Sequence, residues 1–157
     1  MAIAYSGYHF QKPVNDWPRA AAQLPAGTWI KFIDNVQALD EAKRVNPGVK
    51  TVLRHWDKGW HNFTLGTLSA YKEHARRFFS TFIDSTFMDY AHNVDAVEGL
   101  NEFNASSDGP SEQIERIKWV QAACIVWAQE YRTIPELAHI RLVSSNTAVG
   151  NDIPLEA

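Results

Sequence analysis

The residues best suited to chemistry stand where apolar runs stop. Val94-Asp95-Ala96-Val97-Glu98-Gly99-Leu100 is a short apolar run without helical period, and Asn101-Glu102 follows it directly. Such a run reads as a parallel β-strand buried on both faces. A carboxylate at the lip of a strand can work as a proton donor, and the amide beside it can hydrogen-bond a substrate hydroxyl. Four further strand-like runs end the same way, in His9, in Asp34-Asn35, in Arg54-His55-Trp56-Asp57 and in Ser144-Ser145-Asn146. In α/β folds ligands gather at the carboxyl ends of the strands, so these groups form one candidate rim. Asp34-Asn35 and Ser145-Asn146 are also ordinary turn and cap residues. His55 and Glu102 are not favoured in turns, and each follows directly on apolar strand or its last residue.

The elements that must position this rim alternate along the chain. Strands are expected over 3–8, 28–33, 50–55, 94–100 and 139–144. Helices are expected over 16–24, 36–45, 67–90 and 111–131. Asp16 and Pro18 open the first helix, and Asn46-Pro47-Gly48 stops the second. The third carries an apolar stripe of Leu68, Tyr71, Ala75, Phe78, Phe79 and Phe82, and the fourth buries Ile114, Ile117, Cys124, Ile125 and Ala128. Residues 1–157 read as a single domain, since a chain of this size buries roughly 70% of its unfolded surface.

Alternating strands and helices mean a parallel sheet. Two architectures fit: about five βα units from the N-terminal part of a (β/α)₈ TIM barrel, or a five-stranded doubly wound sheet. The sequence stops inside what reads as a βα loop, and a barrel cut short accounts for that better. An incomplete barrel would leave open edges, with Val52-Leu53 and Val97 facing the gap. The remainder of the barrel, or self-association, would then have to cover them.

Composition narrows the partners. A formal net charge of -3 and the lack of a basic run argue against nucleic acid. No apolar run approaches the ~20 residues of a membrane span, and the N-terminus shows no signal peptide. The single Cys124 excludes an internal disulfide and a cysteine metal site, and it reads as a buried inert thiol. No cofactor motif is present. His9, Asp34, His55 and Glu102 could form a mononuclear metal site, but the His-x-His pair of such barrels is missing from Tyr8-His9-Phe10. Six Trp is a high count for this length. Trp56 and Trp60, near the rim, are suited to stacking on sugar faces, whereas Trp17, Trp119 and Trp127 lie on helices as core.

Val97-Glu98-Gly99-Leu100-Asn101-Glu102 resembles the fourth-strand motif of the clan of retaining glycoside hydrolases with (β/α)₈ barrels. The resemblance implies that Glu102 is the acid/base and that Asn101 contacts the hydroxyl next to the reacting carbon. It also implies that a second Glu, at the end of strand seven, is the nucleophile. Arg54-His55-Trp56 is similar to the polar and aromatic cluster many members place near the sugar. One departure is Phe103, where a Pro often follows the Glu. Glu98 does not serve as the nucleophile, being about 13 Å from Glu102 along one strand. Burial and pairing with Arg54 or Lys31 suit it better.

The expected function is therefore hydrolysis of glycosidic bonds by a retaining two-carboxylate mechanism. Glu102 is catalytic, and Asn101, His55, Arg54, Trp56, Trp60, Asp34, Asn146 and His9 bind an oligo- or polysaccharide. The 157 residues alone are expected to be inactive for want of the nucleophile. Two alternatives stand beside this: a carbohydrate-binding barrel without catalysis, and a metal-dependent hydrolase.

Overall fold

A computed structural model describes residues 7–10, 16–55, 66–101 and 110–146. The first strand, β1 (Gly7–Phe10), is followed by α1 (Trp17–Ala22), β2 (Trp29–Ile33), α2 (Val36–Val45) and β3 (Lys50–Arg54). Next come α3 (Leu68–Phe82), α4 (Ser85–Tyr90), β4 (Ala96–Asn101), α5 (Pro110–Gln129) and β5 (Arg141–Asn146). The five strands form one sheet in the order β1-β2-β3-β4-β5, and every neighbouring pair is parallel. A doubly wound sheet reverses its strand order at a switch point. Among the described residues the order of this sheet has no reversal.

Register and burial separate the two faces of the sheet. Side chains alternate along a strand, and parallel partners point the same way. Ile30, Phe32, Leu53 and Val97 share one face and join the core built by the helices. Lys31, Val52, Arg54, Ala96 and Glu98 occupy the other. Leu53 and Val97 were expected to face a gap in an open barrel, and they pack against helices instead. Of that set, Val52 alone lies on the opposite face.

Local chemistry explains most element ends. Asn35 caps α2, its side chain accepting from the Ala38 N–H at 2.9 Å. Asn46 stops α2 and ties it to α1, its amide donating to the Ala21 and Leu24 carbonyls at 3.0 and 2.9 Å. Gly27, at φ 84°, makes the left-handed turn into β2 that a side chain would strain. Asp16 precedes α1 but makes no side-chain cap bond.

The helix expected over 67–90 is two helices. After Phe82 the chain breaks at Ile83-Asp84, and Asp84 caps α4 by accepting from the Phe87 N–H at 2.8 Å. On α3 the expected stripe is buried except for Leu68, which is exposed. α5 turns a different side inward from the one expected. Trp119, Ala122, Ala123, Val126 and Trp127 are buried, Ala128 is exposed, and Ile114, Ile117, Cys124 and Ile125 are half-buried. Two large residues decide this rotation: Trp119 Nε1 donates to His74 Nδ1 on α3 at 2.8 Å, and Trp127 Nε1 donates to the Ile140 carbonyl at 3.2 Å. A buried indole N–H needs such a partner. Tyr71 on α3 donates to Glu115 on α5 and closes the same seam. Burial, with the Glu115 bond next, raises the Tyr71 pKa.

Candidate site at the strand ends

The carboxyl ends of β2 and β3 are tied together just past their last paired residues. Ile33 is in register with Arg54, so Asp34 and His55 are the next residues on adjacent strands. The Asp34 N–H donates to the Arg54 carbonyl at 2.9 Å, which extends the ladder by one bond. Asp34 then takes φ 51°, a left-handed conformation that Asp and Asn tolerate better than most side chains. In that position its Oδ1 meets His55 Nδ1 at 2.7 Å. An ionised carboxylate only accepts, so Nδ1 carries the proton and a neutral ring presents Nε2 as a lone pair. Among the described residues Nε2 has no hydrogen-bond partner.

The imidazole lies on the helix side of the sheet. Its ring stacks on Phe82 at 5.3 Å and 29° and sits 5.9 Å from Phe78. Beside it opens a cavity of about 270 Å³. Leu53, Phe82 and Phe87 supply apolar wall, and Asp34, His55, Thr81, Asp84 and Thr86 supply the polar groups. Sequence reading identified Asp34 and His55 and missed the others. The available signal for them was Asp84, a good cap residue within a long helical pattern.

The opposite face carries charge. Lys31 Nζ reaches across β3 to Glu98 Oε2 at 2.8 Å, and Glu98 is 3% exposed. Glu98 is thus buried and paired, as expected, with Lys31 as its cation. Its other oxygen, Oε1, has no hydrogen-bond partner among the described residues. Arg54 is buried on the same face, in register beside Glu98. Arg54 and His55 were expected in one substrate-facing cluster, but strand alternation sends them to opposite faces of the sheet.

Three further expected residues are described by their backbone. Asn101 and Asn146 are the last residues of β4 and β5 and stand in register. β5 runs two residues further than expected, so Ser144 to Asn146 belong to the strand. His9 lies inside β1, paired with Lys31, one residue short of the strand end where it was expected. Glu102, Trp56 and Trp60 lie outside the described residues. Among the described residues no group of three or more His, Cys, Asp or Glu is arranged to hold a metal ion, and no helix is long and apolar enough to cross a membrane. No protein-family model, curated protein or solved structure matches this chain.

Proposed function

We infer that the five strands are the opening strands of a (β/α)₈ barrel that hydrolyses glycosidic bonds with retention, Glu102 acting as general acid/base. The observation that carries this reading is the sheet itself: five parallel strands in unbroken sequence order, with Asn101 closing the fourth. That order is what the first five strands of a closed barrel have. It also supports one rim for the strand-end groups, since parallel strands all finish at the same edge.

The face bearing Lys31, Arg54 and Glu98 becomes the barrel interior in this reading. Side chains there fill layers, and a buried ion pair is one way to fill them without an unpaired charge. Glu98 serves that layer and leaves proton transfer to Glu102. Retention needs a second carboxylate about 5–5.5 Å from the acid. It comes from a strand outside these five, one of the three that would close an eight-stranded barrel between the edges of β5 and β1. A second copy of the chain is the alternative cover for those edges.

The test is turnover by the full natural polypeptide that carries this chain. Glu102→Gln should leave the fold intact and abolish hydrolysis of oligosaccharides with poor leaving groups, while aryl glycosides with activated leaving groups lose less. Equal loss on both kinds of substrate rejects the acid assignment. Oligosaccharide binding without turnover in the unmutated protein moves the reading to a carbohydrate-binding barrel, and absence of both rejects it altogether.

A further inference from the structure

Trp119 is fully buried on α5, and its indole nitrogen donates to His74 Nδ1 on α3 at 2.8 Å. An indole N–H can only donate, so Nδ1 meets it as a bare lone pair. The ring is then neutral and carries its proton on Nε2. A second proton can enter only at Nδ1, the atom that Trp119 already occupies. Whatever else the ring touches, the second proton and the Trp119 bond exclude each other. We propose that His74 and Trp119 form an acid-sensitive latch between α3 and α5, closed while the ring is neutral and released when it is protonated.

The latch responds because its donor is sealed in. The indole packs edge-on against His74 at 5.8 Å and 76°, and against Phe78 at 6.4 Å and 75°. A proton on Nδ1 would set donor against donor and take from the buried N–H its His74 acceptor. His55, on the other side of Phe78, is a different case. It faces the Asp34 carboxylate, which accepts from a charged ring as well as from a neutral one.

The other ties of the seam hold through mild acid. Beside the latch Tyr71 donates to Glu115, and Lys118 and Tyr71 keep the Glu115 carboxyl below its ordinary value while Glu115 raises Lys118. Further along, Arg76 Nε and Nη2 grip the Glu130 carboxylate at 2.9 and 2.7 Å. That bond lowers Glu130 and raises Arg76. Burial raises the nearby Tyr131 hydroxyl. Lys72, Glu73, Arg77 and Arg116 are the remaining charged side chains within a turn of the pair, and Glu73 pairs with Arg76 at 3.4 Å. Histidine is the side chain type that changes charge between pH 5 and 8. Acid should therefore free the Trp119 end of the seam and leave the Arg76–Glu130 end in place. Both helices follow strands of the parallel sheet and start at its carboxyl edge, so the freed end is the one nearer the candidate site.

The test follows the full chain from about pH 7.5 to about pH 5 by NMR of its labelled histidine and tryptophan side chains. Urea unfolding of the unmutated protein and of His74→Asn runs beside it. In the variant Asn Oδ1 stands in for Nδ1 as an acceptor and does not titrate.

At the upper pH the His74 nitrogens should report the Nε2–H form, and the Trp119 indole proton should lie downfield of an exposed indole. As His74 gains its proton the indole signal should move upfield in step, and in His74→Asn it should stay. A ring that folding holds neutral contributes stability that is full above the ordinary histidine range and lost as pH falls through it. Over this range the unfolding constant of the unmutated chain should rise about tenfold more than that of His74→Asn. An Nδ1–H form at the upper pH overturns the proposal, as does an indole signal that stays put while His74 becomes charged. So does a His74 ring still fully neutral at the lower pH, or the same pH dependence of unfolding in both proteins. The NMR outcomes stand on the unmutated protein alone, and none depends on which ligand the strand ends hold.

Discussion

The two ends of the sheet both carry carboxylates, and they use them in opposite ways. At the amino end Asp95 sits just before β4 and is saturated with partners. Lys43 Nζ lies 2.7 Å from Oδ2 and Lys50 Nζ 3.1 Å from Oδ1, and the Thr51 N–H donates at 2.9 Å. Burial pushes the Asp95 pKa up, but Lys43, the Thr51 N–H and Lys50 outweigh it and hold the group below its ordinary value. At the carboxyl end Asp34 is half exposed, holds a strained backbone and orients an imidazole over a cavity. Groups kept for stability use up their hydrogen-bonding capacity inside the protein. Asp34 instead uses its Oδ1 bond to place a ring beside a cavity.

That contrast breaks first at Asp95. Asp95→Ala removes the shared partner of two lysines and a backbone N–H, and it should cost about 2–3 kcal/mol by urea unfolding. A loss below about 0.5 kcal/mol would make the cluster ordinary surface charge. Acid sharpens the same point. A carboxylate with a depressed folded pKa contributes stability that is present above its unfolded pKa and lost as pH falls through the folded one. Stability measured downward from neutral pH should therefore decline below the usual carboxylate range, and Asp95→Asn should decline less steeply over that window. Identical pH profiles for the two proteins would remove Asp95 from the account.

Smaller effects belong at the other end. His55→Ala gives up a ring stack and one bond to a half-exposed carboxylate, so it should cost no more than about 1 kcal/mol while abolishing the cavity's imidazole. Asp84→Asn should change stability by only a few tenths of a kcal/mol, because the cap survives. A loss above about 2 kcal/mol from either would turn the carboxyl end into a structural element like the amino end.

Much of the framework was legible in the sequence. The span of α2 followed from Leu39 and Ala42 at helical spacing between Asn35 and the Asn46-Pro47-Gly48 stop. The pairing of Glu98 followed from physics, since a carboxylate inside an apolar strand needs a cation from a neighbour. Two features escaped for different reasons. α5 is apolar on several sides, so its periodicity allowed more than one inward face, and the hydrogen-bonding needs of Trp119 and Trp127 chose among them. The helix break escaped because Phe79, Ile83 and Phe87, four residues apart, keep an apolar rhythm across it, while Asp84 ends that rhythm only through its cap bond. The pairing of Asp34 with His55 depends on the register of β2 against β3, which no local pattern contains.

The central claim is that ligands meet this protein at the carboxyl end of the sheet. The most direct measurement is a map of backbone amide shifts during titration of the full chain with hexasaccharides of four kinds, cello-, xylo-, chito- and malto-oligomers. For at least one of them the amides of Asp34, Asn35, His55, Asn101 and Asn146 should move, while those of Lys43, Lys50, Thr51 and Asp95 stay in place. Shifts gathered around Asp95, or no shifts with any of the four, would contradict the claim.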